Sequence, residues 1–292
     1  IKYINKELKK KAMVVESLMF PVKAEKKPWE MFFIGFLYAS IGVFLSLWIF
    51  RSQASLVMVF MITMAALPLF YNTMKLEESK DMLMDTESSI LKEHNKAISF
   101  FMFMFIGIVV ACALWYTVLP IAVISDLFDK QVGTIQAINN QVSGNAINNL
   151  ESFGKIFFNN FRVMAFAILF SFIFGAGAIF ILVWNATVVG AAIGSFIRGL
   201  LKSDCNVVNL FSFALLKYTP HGLPEVAGYF YGALAGGILS VALINKHYKT
   251  EKFSKVMVDF SELVLIAAGF LVAGAFIEVY VTPLLFSGVP LC

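Results

Sequence analysis

Charge is scarce in this chain. Only 14% of its 292 residues are Asp, Glu, Lys or Arg, where a soluble domain carries about one quarter. The shortage is uneven. Near-neutral blocks of roughly 20 residues, long enough to cross a bilayer, alternate with short charged ones. This pattern excludes an ordinary soluble domain and describes a polytopic membrane protein. Cysteine is scarce as well. Cys112, Cys205 and Cys292 lie far apart without paired spacing, which supports neither a metal knuckle nor a disulfide framework. Of the three histidines, only His221 stands in apolar sequence, so a dedicated zinc site is not expected. There is no Ser-His-Asp arrangement and no Gly-rich loop ending in Lys-Ser/Thr. An enzyme is therefore not expected, nor a cofactor. The net charge of +4 comes from Lys clusters beside apolar segments, where they set topology, so no nucleic acid is expected as a partner.

What is present is a succession of apolar segments. Residues 1–30 carry eight Lys and four Glu, unlike a cleavable signal, and read as a charged cytoplasmic N-terminus. Residues 31–50 form a first span, with Trp29 and Trp48 at its ends as interfacial aromatics. Residues 54–71 form a second, after a minimal turn. The interval 72–96 is a charged connection with six acidic residues, four Lys and His94, part of it an amphipathic helix. Here His94 is expected on the surface, as is His247 in the basic stretch 245–259. Residues 97–124 form a third span. The stretch 125–160 is polar but nearly uncharged, and reads as short amphipathic helices on the outer membrane surface. A fourth span covers 161–183. Residues 186–201 and 207–219 are each too short to cross comfortably, and Thr219-Pro220-His221-Gly222 breaks the second. Full spans follow at 223–244 and 260–282.

The expected fold is an all-α, polytopic membrane helical bundle with about six to eight apolar segments, some short or re-entrant. The expected organisation is a charged N-terminus at 1–30, a transmembrane hairpin with its charged connection at 31–96, and a membrane domain at 97–292. The Lys-rich blocks at 2–27, 75–96 and 246–255 are expected in the cytoplasm, with 125–160 and Cys292 outside.

His221 and Glu225 are the residues that such sequence does not place idly. Ionisable groups at bilayer depth persist only if paired, wet or used. Pro224 lacks an N–H and suits a first helical turn, which puts Glu225 near the positive end of a helix dipole. Glu278 sits in the last apolar segment, one face of which also carries Gly274 and Thr282 at four-residue spacing. His221, Glu225, Glu278 and Thr282 are therefore read as one buried polar cluster, with Lys217 and Asn185 as neighbours. Two readings stay open. The cluster stabilises a buried helix start through hydrogen bonds, or it binds a proton or a cation. Gly228, Gly232, Gly236 and Ser240 recur every four residues, and Gly190 and Gly194 repeat the spacing. Such stripes let helices approach closely in lipid.

These elements resemble the stage II sporulation protein M family of integral membrane proteins. The resemblance rests on Asn159-Asn160-Phe161-Arg162, the Gly-rich fourth span through Trp184-Asn185, Pro220-His221-Gly222-Leu223-Pro224-Glu225, and Ala275-Phe276-Ile277-Glu278-Val279-Tyr280-Val281-Thr282-Pro283. It implies a multi-pass protein of the cell membrane with His221, Glu225 and Glu278 as family-type positions. Sporulation members of the family act with cell-wall hydrolases at the engulfing membrane. A membrane scaffold or assembly factor is therefore one expectation, with other membrane or envelope proteins, or further copies of the chain, as partners beside the bilayer. The other is a proton- or cation-coupled transporter or channel using the His/Glu cluster.

Overall fold

The computed structural model describes residues 27–83, 87–143, 149–174, 177–201, 207–249 and 253–286. The Lys-rich block before residue 27 and Cys292 lie outside the described residues, as do Cys205 and residues 144–148. Among the described residues the structure is helical, without strands. The helices are α1 (Glu30–Ile49), α2 (Ala54–Leu83), α3 (Glu87–Val118), the short α4 (Ile121–Leu127), α5 (Asp129–Ser143), α6 (Asn149–Phe174), α7 (Ala178–Leu200), α8 (Val207–Ile244), α9 (Phe253–Phe276), a π turn at Ile277–Val281, and α10 (Thr282–Phe286). Seven stretches are long and apolar enough to cross a membrane, within α1, α2, α3, α6, α7, α8 and the run from α9 through the π turn into α10.

The interval after 148 differs from the sequence reading. The fourth span read at 161–183 crosses the break between two helices: α6 begins at Asn149, inside the stretch read as surface helices, and ends at Phe174, and α7 begins at Ala178 and takes in 186–200. Residues 207–219 and 223–244 are one continuous helix, α8. Pro220 and Pro224 lie inside it. Proline removes one helical hydrogen bond and crowds the carbonyl four residues earlier, yet long helices tolerate it when neighbours hold them. No re-entrant piece is required. With seven crossings, the charged intervals around 72–96 and 246–249 fall at the end of the bundle where α1 begins, and 125–143 falls at the other.

The bundle packs around α8, which touches α9, α6, α2, α7 and α3. Phe70, Phe100, Phe101 and Phe230 are fully buried in its core, and the rings of Phe101 and Phe230 stack 5.6 Å apart. Hydroxyls that enter the apolar interior bond back to their own helix. Thr63 donates to the Val59 carbonyl and Thr73 to that of Leu69, each at 2.8 Å, so neither is left unpaired. Arg198 on α7 donates from Nη1 to the carbonyls of Tyr116, Thr117 and Leu119 at 3.2, 3.1 and 2.7 Å. A cation thereby occupies the negative end of α3 and satisfies carbonyls that the helix cannot.

The polar stretch after 125 is tied into the bundle as well as lying on it. Gln131 of α5 is fully buried. Its Oε1 accepts from Ser55 Oγ at 2.7 Å and its Nε2 donates to Thr187 Oγ1 at 3.3 Å. One side-chain amide thus joins α2, α5 and α7.

Candidate functional site

Along α8, His221, Glu225 and Tyr229 stand at intervals of four, so they share one helix face. Pro220 and Pro224 lie on the same stretch. Their missing N–H groups withhold the usual helical donors from the carbonyls of Leu216 and Pro220. The facing helix is α9. An added Cβ at Gly274 would sit 2.5 Å from Glu225 Cγ and 3.3 Å from the His221 carbonyl. Glu225 therefore fills the space a side chain at 274 would take, and its carboxylate lies one turn from Glu278.

Glu278 is carried by the π turn Ile277–Val281, which the four-residue spacing of the sequence does not anticipate. Such turns insert an extra residue into a helix and are frequent at functional sites. This one packs against α8 and α6. Past it, Thr282 Oγ1 stands 3.5 Å from His221 Nδ1, at the outer limit of a hydrogen bond. The Glu225 and Glu278 carboxylates are close enough to interact electrostatically.

A third helix contributes a residue that the sequence reading quotes only as part of a family motif. Asn160 of α6 is buried and its Oδ1 accepts from the Tyr229 hydroxyl at 2.9 Å. The same amide lies within reach of the Glu225 carboxylate. Tyr229 in turn lies within electrostatic range of both Glu225 and Glu278. Glu225 Oε1 is buried and has no hydrogen-bond partner. Two carboxylates, an imidazole, two hydroxyls and an amide thus come together from α6, α8, the π turn and α10. That set can hold a proton between carboxylates or ligate a small cation through oxygen.

The two neighbours make their own contacts, although Lys217 stays within electrostatic range of His221. Lys217 Nζ lies over the Phe196 ring at 4.6 Å and the Tyr218 ring at 5.3 Å, so its charge is held by aromatic faces of α7 and α8. Asn185 donates from Nδ2 to the Ile181 carbonyl of its own helix at 2.8 Å. The small residues divide between partners. Gly228 faces Ala267 and Leu271 of α9, whereas Gly232 faces Met164 and Ile168 of α6, and Gly236 meets the Ile168 backbone. Ser240 is buried on the same helix. Gly190 and Gly194 of α7 pack on α3, against Cys112 and Val109 and against Tyr116 and Ala113.

Outside the cluster, His94 corrects the sequence reading, while His247 is partly exposed. His94 is fully buried rather than exposed, together with Glu77 and with Lys80, Glu78 and Asp259 nearly so. His247 Nδ1 stands 2.5 Å from Glu78 Oε1. The charged connection is therefore not a solvated loop. Glu77, Glu78, Lys80 and His94, near the facing ends of α2 and α3, are turned inward, whereas Lys75, Lys92 and Lys96 are exposed.

The comparisons with known proteins agree with this architecture. A family model described as stage II sporulation protein M matches residues 96–283, the region from within α3 to the end of the site. An uncharacterized protein of Methanocaldococcus jannaschii is 31% identical over 159 residues, covering 52% of this chain and 83% of that protein. No solved structure matches the chain. The family model spans well over half of the sequence and takes in Asn160, His221, Glu225, Glu278 and Thr282; the chain belongs to the stage II sporulation protein M family of membrane proteins.

Proposed function

We propose that this membrane protein moves protons or a small monovalent cation across the bilayer, with Glu225 and Glu278 as the binding pair. One observation carries the reading: Glu225 Oε1 is buried in the bundle without a hydrogen-bond partner, with the Glu278 carboxylate within electrostatic range. Two neighbouring carboxylates cannot both stay ionised in an apolar enclosure unless a proton or a cation joins them. Among the described residues no ion pair reaches either of them, and the Lys217 ammonium is turned to aromatic rings. His221 and Thr282 stand at the edge of the pair, where they relay or ligate.

Flux through liposomes tests this. The purified chain is reconstituted with a pH-sensitive or a sodium-sensitive dye inside, and a proton gradient or a sodium gradient is imposed in turn. The wild-type protein is expected to conduct one of the two. Glu225→Gln and Glu278→Gln are expected to abolish that flux while the protein remains folded and monodisperse. Wild-type vesicles that conduct no more than empty ones would sink the transport reading. The cluster is then structural, and the scaffold or assembly role that the family resemblance implies takes its place.

A further inference from the structure

A second enclosed group of charges lies at the other end of the bundle. Glu77 and Lys80 come from the last turns of α2, Glu93 and His94 from the first turns of α3, and Asp259 from the start of α9. Along α9, Asp259 and Glu278 are separated by about 28 Å of helix. His94 and Glu77 are fully buried, with Lys80 and Asp259 only 4% and 8% exposed. Lys80 Nζ stands 2.6 Å from Glu77 Oε1 and 3.4 Å from Glu93 Oε2. His94 Nδ1 stands 2.6 Å from Glu77 Oε2, and its Nε2 3.2 Å from Asp259 Oδ2. From α8, the Tyr231 hydroxyl donates to Asn95 and lies within electrostatic range of His94. Lys92, Lys96 and Lys255 are at the exposed rim, where Lys96 pairs with Glu93. Glu78 and His247 pair on the same side.

The geometry limits what His94 can be. An ionised carboxylate only accepts hydrogen bonds, and a neutral imidazole has one N–H and one bare nitrogen. Here both ring nitrogens face carboxylate oxygens of different helices. With a neutral ring and two carboxylates, one of these contacts sets acceptor against acceptor. One more proton removes the conflict. The two carboxylates lie at opposite nitrogens of one ring, so they do not converge on a common point as metal ligands would. Among the described residues, no group of three or more His, Cys, Asp or Glu side chains is arranged to hold a metal ion.

We propose that Glu77, His94 and Asp259 form a proton-binding site in which the imidazolium of His94 fastens α9 to α2 and α3. Loss of the proton leaves one contact repulsive and releases the start of α9. The site is separate from the Glu225/Glu278 pair and does not depend on transport through it. It makes the Lys-rich end of the bundle responsive to the pH of the water beside it.

Solid-state 15N NMR of the full chain, labelled at histidine and placed in lipid bilayers, reads the ring directly. The signal of His94 is assigned by its loss in His94→Gln. At pH 7 the ring is expected to give the two nitrogen signals of an imidazolium. The imidazolium fraction is expected to fall in Asp259→Asn. As alkaline pH turns the wild-type ring neutral, amides at 256–263 are expected to exchange hydrogen faster, ahead of those at 264–275. A neutral His94 ring in the wild type at pH 7 overturns the proposal. So does unchanged exchange at 256–263 once the ring is neutral, since the contact would then fasten nothing. Both readings use the wild-type protein, so they stand even if Asp259→Asn fails to fold.

Discussion

Replacing His94 with alanine is expected to destabilise the folded protein by about 3–5 kcal/mol, the usual cost of removing one partner from a buried charged pair. The ring is fully buried and bonded to Glu77 and Asp259 at once. Its removal takes a shared donor from two carboxylates and leaves a void between three helices. Neither carboxylate can turn to water without opening the bundle. His94→Gln retains one amide donor and is expected to lose less. Lys130→Ala is the control. Lys130 pairs with Asp129 on the surface, both side chains being more than half exposed, and exposed pairs are worth about 0–1 kcal/mol. Unfolding in mild detergent, followed by intrinsic tryptophan fluorescence, ranks the three. Equal midpoints for His94→Ala and Lys130→Ala would show that the buried contacts contribute nothing.

Small substitutions at interhelical glycines carry the second large effect. Gly107 of α3 lies against the backbone of α1: an added Cβ would overlap the Phe32 carbonyl and lie 2.9 Å from Phe36 N. Gly35 of α1 meets the Met104 carbonyl of α3 in the same way, and Gly236 of α8 meets that of Ile168 in α6. Backbone atoms cannot swing aside as a side-chain end does. Gly107→Ala and Gly236→Ala are therefore expected to push helices apart at a cost of about 1–3 kcal/mol, and the corresponding Val variants more. Gly232 instead faces the side chains of Met164 and Ile168, which can adjust, so Gly232→Ala is expected to be milder. Gly269 has nothing within 4 Å of an added Cβ. Gly269→Ala is expected to be neutral or stabilising by up to about 1 kcal/mol, from helix propensity alone. The same unfolding measurement checks the series, and a uniform response at all four positions would contradict it.

The class of the protein and most of its spans are legible in hydropathy, because a bilayer demands long apolar helices and little else satisfies the backbone there. The family is legible in the motifs around His221 and Glu278. Two features are not. Pro220, Gly222 and Pro224 look like a break, since local propensity opposes a helix. Packing of α8 against its neighbours overrides that preference, as burial often does. Similarly, a run of charges at 72–96 looks solvated, because such runs usually are. The signal that would have located His94 is the apolar stripe beyond it. Ala97, Phe101, Met104 and Ile108 are buried, and stepping back by three from Ala97 reaches His94. On α9 the buried positions Leu271, Ala267 and Leu263 lead back by four to Asp259. A polar residue that continues a core stripe belongs to the core, whatever the sequence around it. Asn160 is harder to single out, because its role rests on a contact with Tyr229 across 69 positions.

The proposed transport requires that water reach the buried Glu225/Glu278 pair and that the pair hold an exchangeable ion. An experimental density map of the protein in lipid, resolved well enough to show ordered water, tests it most directly. The account predicts water or ion density at Glu225 Oε1, continuous with one aqueous side past Thr282 and His221. A dry, sealed cluster, with both Glu225 oxygens bonded to protein groups and no path to either side, would contradict it.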